Sequence, residues 1–102
     1  MFNNIIIFAT HLETGYKFLD NIVGEIKYKN IAKISKGKME YCVELKDGTC
    51  YHVVKASDSA MGYKCNKAYV ENGTSEEIIN CVIRPTLIMS TLPQKEQIKF
   101  FD

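Results

Sequence analysis

The chain has no Trp, only two Pro, and a single Arg, Arg84, among its thirteen Lys and Arg residues. It also has no glycine-rich run closed by Gly-Lys-Ser/Thr. That absence excludes a P-loop, in which backbone N–H groups wrap the phosphates and a hydroxyl holds magnesium. No Cys-x-x-Cys pair is present, and Cys42, Cys50, Cys65 and Cys81 are scattered, as are His11 and His52. Zinc needs closely spaced ligand pairs, so no metal and no cofactor are expected. The apolar run NNIIIFA is too short for a signal core or a membrane span, and no basic segment leads it. The net charge is only +1, which excludes a whole-surface grip on nucleic acid.

What is present fits one folded domain over residues 1–102, with 46% apolar and 25% charged residues. Unpaired, unclustered cysteines read as reduced thiols, and a cytoplasmic location is expected. Residues 3–9 form a short, β-branched, uninterrupted run, the pattern of a buried strand. Thr10 can cap a following helix, with Glu13 three residues on, as in a capping box. Leu12, Tyr16, Leu19, Ile22, Val23 and Ile26 fall on one stripe of that helix. NIAKIS reads as a short strand. Asp47-Gly48 between two alternating runs predicts a hairpin, with Met39, Tyr41, Val43 and Leu45 on one face and residues 49–55 returning. Residues 57–66 read as a loop and KAYVE as another buried strand. Thr74 is expected to cap a helix over residues 75–83, ended by Pro85. TLIMST then reads as extended, and QKEQIKFFD as a short helix or frayed tail. The order β-α-β-β-β-β-α-β predicts an α/β (α+β) domain. Its mixed, twisted sheet has about five strands, with two to three helices packed on it.

The segment VELKDGTCYHVVKASDSAMGYKCNKAYVEN resembles the middle of the ATPase core of phage large terminase subunits. In that family a hairpin with Asn/Asp-Gly-Ser/Thr leads to a loop with an Arg-Gly pair. A buried strand then ends in two acids, the Walker B element. Asp47-Gly48-Thr49 matches the hairpin, Ala56 to Gly62 the loop, and Ala68-Tyr69-Val70-Glu71 the strand and first acid. EEIINCVIRPTLI is similar to the helix and strand that follow. The resemblance covers about half the chain. It implies a Walker-type strand at Glu71, but Met61 replaces the Arg and Asn72 the second acid. An amide cannot accept the proton of an attacking water. With no P-loop either, the chemistry of phosphoryl transfer is lost and no enzyme is expected. The Ile-, Asn- and Lys-rich composition matches AT-rich coding, as in low-GC bacteria and their phages.

The resemblance therefore implies a non-enzymatic phage or prophage accessory protein. By analogy of type it would bind a host protein or nucleoprotein, as a stoichiometric inhibitor of host defence of the anti-CRISPR kind. The expected partner-binding residues are Met61, Tyr63 and Lys64 in the loop, with Glu71 at the strand end. The plainer reading of Glu71, preferred here, is a solvated strand end or a cap for the next helix. A second reading is a nucleic-acid-binding accessory using Lys27, Tyr28, Lys29, Lys33, Lys36 and Lys38, the lysines on phosphates and Tyr28 on a base. The plainer view of those lysines is a solvated helix end and a protected edge strand. A third is a nucleotide sponge that keeps the old cleft. Cys50 and His52 share a strand face, but no orienting partner is legible, so catalysis there is not favoured. No membrane partner is expected, and the oligomeric state, a dimer included, stays open.

Overall fold

The protein, described here from a computed structural model that covers residues 3–57, 60 and 62–102, is a six-stranded mixed sheet with helices on both faces. β1 (Asn3–Ala9) enters α1 (Leu12–Glu25), and a 3-10 turn (Tyr28–Asn30) leads to β2 (Ile31–Lys36). β3 (Tyr41–Leu45) and β4 (Thr49–Lys55) form the hairpin, and β5 is Lys67–Glu71. A continuous helical run follows: α2 (Glu76–Ile78), a π-helical segment (Ile79–Ile83) and α3 (Arg84–Thr86). α4 (Gln94–Gln97) and β6 (Ile98–Phe101) complete the fold. The strand order is β2-β3-β4-β1-β5-β6. β4, β1, β5 and β6 run parallel, while β3 is antiparallel to both its neighbours.

The period-2 alternation of β1 divides the core. Ile7 and Ala9 face α1, together with Leu19, Val43, Val53 and Phe101. Ile6 and Phe8 face the other side, packing with Val54, Ala68, Val70, Ile79, Val82 and Ile83. Both faces of the central strand are thus buried, which is why its sequence is apolar without interruption. Gly15 sits where α1 crosses the sheet. A Cβ there would lie 2.8 Å from Ala9 Cβ and 2.9 Å from Val53 Cγ1, so only hydrogen permits this approach.

The hairpin turn is built from its own residues. Gly48 N–H donates to Leu45 O at 3.1 Å, and Gly48 has φ +95°. Asp47 Oδ1 accepts from the Thr49 N–H at 2.9 Å. This is a type I turn closed by a left-handed glycine, a three-residue hairpin loop.

Several expectations need correction. Thr10 does not cap α1. His11 holds the N-cap position without a side-chain bond, and Thr10 Oγ1 instead meets Thr74 Oγ1 at 3.3 Å. Ser75, not Thr74, caps the second helical run, accepting from Ile78 N–H at 3.3 Å. Thr74 turns back to donate to Glu71 O. Pro85 does not end that run. It lies in α3, directly after the π-helical segment, and the helical backbone continues through it. The segment read as an extended TLIMST is therefore helix end and turn, with Thr86 and Leu87 buried and Ile88 and Met89 exposed. The last strand is β6, inside the expected helix or tail. Phe101 anchors it, stacked on Phe18 at 4.3 Å between ring centroids. Phe18 lies off the predicted stripe, yet it reaches both Phe101 and Tyr69. Met39 lies outside β3 and is 78% exposed.

Candidate functional site

The four parallel strands end on one side of the sheet, at Ala9, Lys55, Glu71 and Phe101. There the connections diverge. The chain leaving β1 crosses one face through α1 to β2, on the β4 side of β1, whereas the chain leaving β5 crosses the other face through the second helical run to β6. The boundary between β1 and β5 is thus a topological switch point, where open α/β sheets place ligands.

Glu71 and His11 meet at this point. Glu71 Oε2 lies 3.0 Å from His11 Nδ1, and Glu71 Oε1 accepts the His11 backbone N–H at 3.2 Å. The Glu71 side chain is only 10% exposed, while that of His11 is 74% exposed. A carboxylate oxygen only accepts hydrogen bonds, so Nδ1 carries a ring proton in this pair, and in the neutral imidazole Nε2 is then the acceptor nitrogen. Both carboxylate oxygens are committed to His11. Glu71 is therefore neither solvated nor a cap for the next helix; it ties the end of β5 to the start of α1. The strand-end acid was legible in the sequence. Its partner was not, because a contact across sixty residues leaves no local signal. Asn72, beside it, donates its side-chain amide to Asp102 and its backbone N–H to Phe101 O.

A groove of about 230 Å³ opens at the same end of β4, next to the residue that follows His11. Leu12, Met39, His52, Lys55 and Tyr63 line it. His52 meets the Tyr63 ring edge-on at 5.8 Å, and partial burial pushes the His52 imidazole below its ordinary pKa. The segment from Ala56 to Asn66 is the crossover between β4 and β5, pinned at both ends. Ala56 N–H donates to Ala9 O, Cys65 N–H to Thr86 O and Asn66 N–H to Asn4 O.

The pinning separates the predicted cluster. Tyr63 reaches the groove. Lys64 does not: its carbonyl accepts from Asn4 Nδ2, at the opposite end of β1. Met61 lies outside the described residues. Cys65 is buried against Thr86, its thiol pushed up by burial. Among the described residues no group of three or more His, Cys, Asp or Glu side chains is placed to hold a metal, and no helix is long and apolar enough to cross a membrane.

The lysines are divided as well. In β2, Lys33 pairs across to Glu44 and Lys36 to Tyr41, on opposite faces of the sheet. Lys36 is tied to Asp20 at 3.0 Å and lies over the Tyr41 ring. Tyr28 is exposed in the 3-10 turn, with no base-stacking partner aromatic beside it on β2. A wider cleft of about 730 Å³ lies at the other end of the sheet, between the end of α1 and the hairpin turn. Its lining mixes Glu25, Lys27, Lys46 and Asp47 without a buried polar group among them. No protein-family model, no curated protein and no solved structure matches the chain.

Proposed function

We propose that this is a non-enzymatic binding protein whose partner docks at the carboxyl end of the parallel strands. The single observation that carries the reading is the Met39–Leu12–His52–Tyr63 groove beside the topological switch point. It offers an exposed thioether and an aromatic ring on a rigid base, the kind of anchor that dominates protein interfaces. In this reading the chain is a stripped ATPase-type core, and two positions are read in that light. β1 runs into α1 where a phosphate loop would stand, and Glu71 ends the adjacent strand. In a motor that acid would face magnesium. Here His11 occupies both its oxygens, which favours binding over nucleotide turnover. The partner class that fits this reading is a host protein or nucleoprotein of a phage-infected bacterium, with inhibition of host defence as the corresponding role. The division of the lysines between two faces weighs against nucleic acid as the primary ligand.

The test is capture from a bacterial host lysate with the parent chain and with a Met39→Ser/Tyr63→Ala variant. A partner recovered by the parent and lost by the variant, at unchanged unfolding midpoint, supports docking at this groove. Recovery by both moves the interface elsewhere. ATP or GTP hydrolysis that disappears in Glu71→Ala would overturn the non-enzymatic reading.

A further inference from the structure

We infer that His11 is a phosphoryl-accepting imidazole, modified at Nε2 and held for that role by Glu71. The inference stands on the side-chain pair and not on the docking groove. Three observations carry it. First, the carboxylate of Glu71 bonds both the Nδ1 and the backbone N–H of His11, which fixes ring orientation and tautomer together. Second, the exposures are opposite: the orienting acid is nine-tenths buried and the imidazole three-quarters exposed, so the ring is accessible while its orienting group is not. Third, the pair stands at the topological switch point, in front of the first turn of the 14-residue helix α1. A buried carboxylate on Nδ1 raises the electron density at Nε2 and orients it, as orienting carboxylates do for nucleophile-activating and metal-binding histidines. The positive end of the α1 dipole favours an added anion there.

The step balances. The donor class is an N-phosphoryl compound, a phosphoramidate. The Nε2 lone pair attacks its phosphorus, the P–N bond breaks with its electron pair leaving on the departing amine, and Nδ1 keeps its proton, which Glu71 Oε2 accepts as a hydrogen bond. The ring becomes an imidazolium, whose charge the Glu71 carboxylate neutralises.

Phosphoramidate serves as the probe, since it transfers its phosphoryl group to imidazole and releases ammonia. The folded protein is incubated with it at neutral pH and followed by intact mass and 31P NMR, with His52 in the same molecule as internal reference. The expected result is one phosphoryl group on His11 Nε2, formed faster than on His52. In Glu71→Gln the rate at His11 falls about tenfold, the usual scale for loss of an orienting carboxylate. Phosphate on Nδ1, equal rates at the two histidines, or a rate indifferent to Glu71→Gln overturns the proposal. Because the variant is open to loss of fold, the tautomer is also read in the parent by 15N NMR of the imidazoles. A His11 ring protonated on Nε2 instead of Nδ1 overturns it as well.

Discussion

Two glycines of α1 are expected to respond to the same substitution with opposite signs. At Gly15 an alanine methyl would stand 2.8 Å from Ala9 Cβ and 2.9 Å from Val53 Cγ1. Carbon atoms settle at about 3.5–4.0 Å, so each contact is too close by more than half an ångström. The two obstacles belong to β1 and β4, adjacent strands in the middle of the sheet. Neither side chain is long enough to swing away, so α1 must lift. Overpacking of this kind costs about 1–3 kcal/mol, and rigid neighbours on two strands place Gly15→Ala near the upper figure. The alanine returns about 1 kcal/mol of helix propensity. The net loss is then about 2 kcal/mol. At Gly24 nothing lies within 4 Å of the added methyl and the residue is exposed, so only propensity acts. Gly24→Ala should gain about 0.5–1 kcal/mol. Urea unfolding followed by circular dichroism separates the two. With a slope of about 1–3 kcal/mol per molar, the Gly15→Ala midpoint falls by roughly 1 M while that of Gly24→Ala rises. A Gly15→Ala protein as stable as the parent would refute the packing of α1 on β1 and β4.

Three further outcomes follow from other parts of the molecule. Phe101→Ala removes a buried ring stacked on Phe18 and should lower stability by about 3 kcal/mol in the same urea assay, although it lies one residue from Asp102. His52 titrates below a free imidazole because burial disfavours its charged form. The unfolded chain therefore takes up the proton first, and stability falls as pH drops below about 6.5, levelling only below the folded value. NMR titration of the His52 ring, with unfolding midpoints at neutral and mildly acidic pH, checks both the shift and its sign. A thiol-reactive dye should label exposed Cys81 first. Cys42, whose thiol is raised by burial, then by neighbouring Cys50, should lag behind it, and buried Cys65 should stay protected until the fold opens. Immediate labelling of Cys65 would contradict the packing of the crossover against Thr86.

The strands were the most legible part of the molecule. NNIIIFA, the Asp47-Gly48 hairpin and KAYVE carry period, composition and turn chemistry within a few residues, and these local terms decide a strand and its turn. The helix face toward the sheet is legible too, apart from Ile26, which lies just past the end of α1, and Phe18, whose placement depends on Phe101, more than eighty residues away. Between residues 75 and 101 local signals misled. Pro85 reads as a stop, yet the π-helical segment before it lets the helix pass through. The apolar Ile88 and Met89 look like strand, yet the sheet edge is taken by Ile98–Phe101.

Residue chemistry alone thus determined that β1 would be a buried strand, that the sequence holds no glycine-rich run closed by Gly-Lys-Ser/Thr, and that an acid would end β5. The tertiary structure decided what that acid does. Strand order brings β5 beside β1, so Glu71 meets His11 across sixty residues, and the pinned crossover sends Tyr63 to the groove and Lys64 to the opposite end. Hydrophobic periodicity encodes which face of an element is buried. Which elements become neighbours is settled by packing of the whole chain, and the site consists of neighbours.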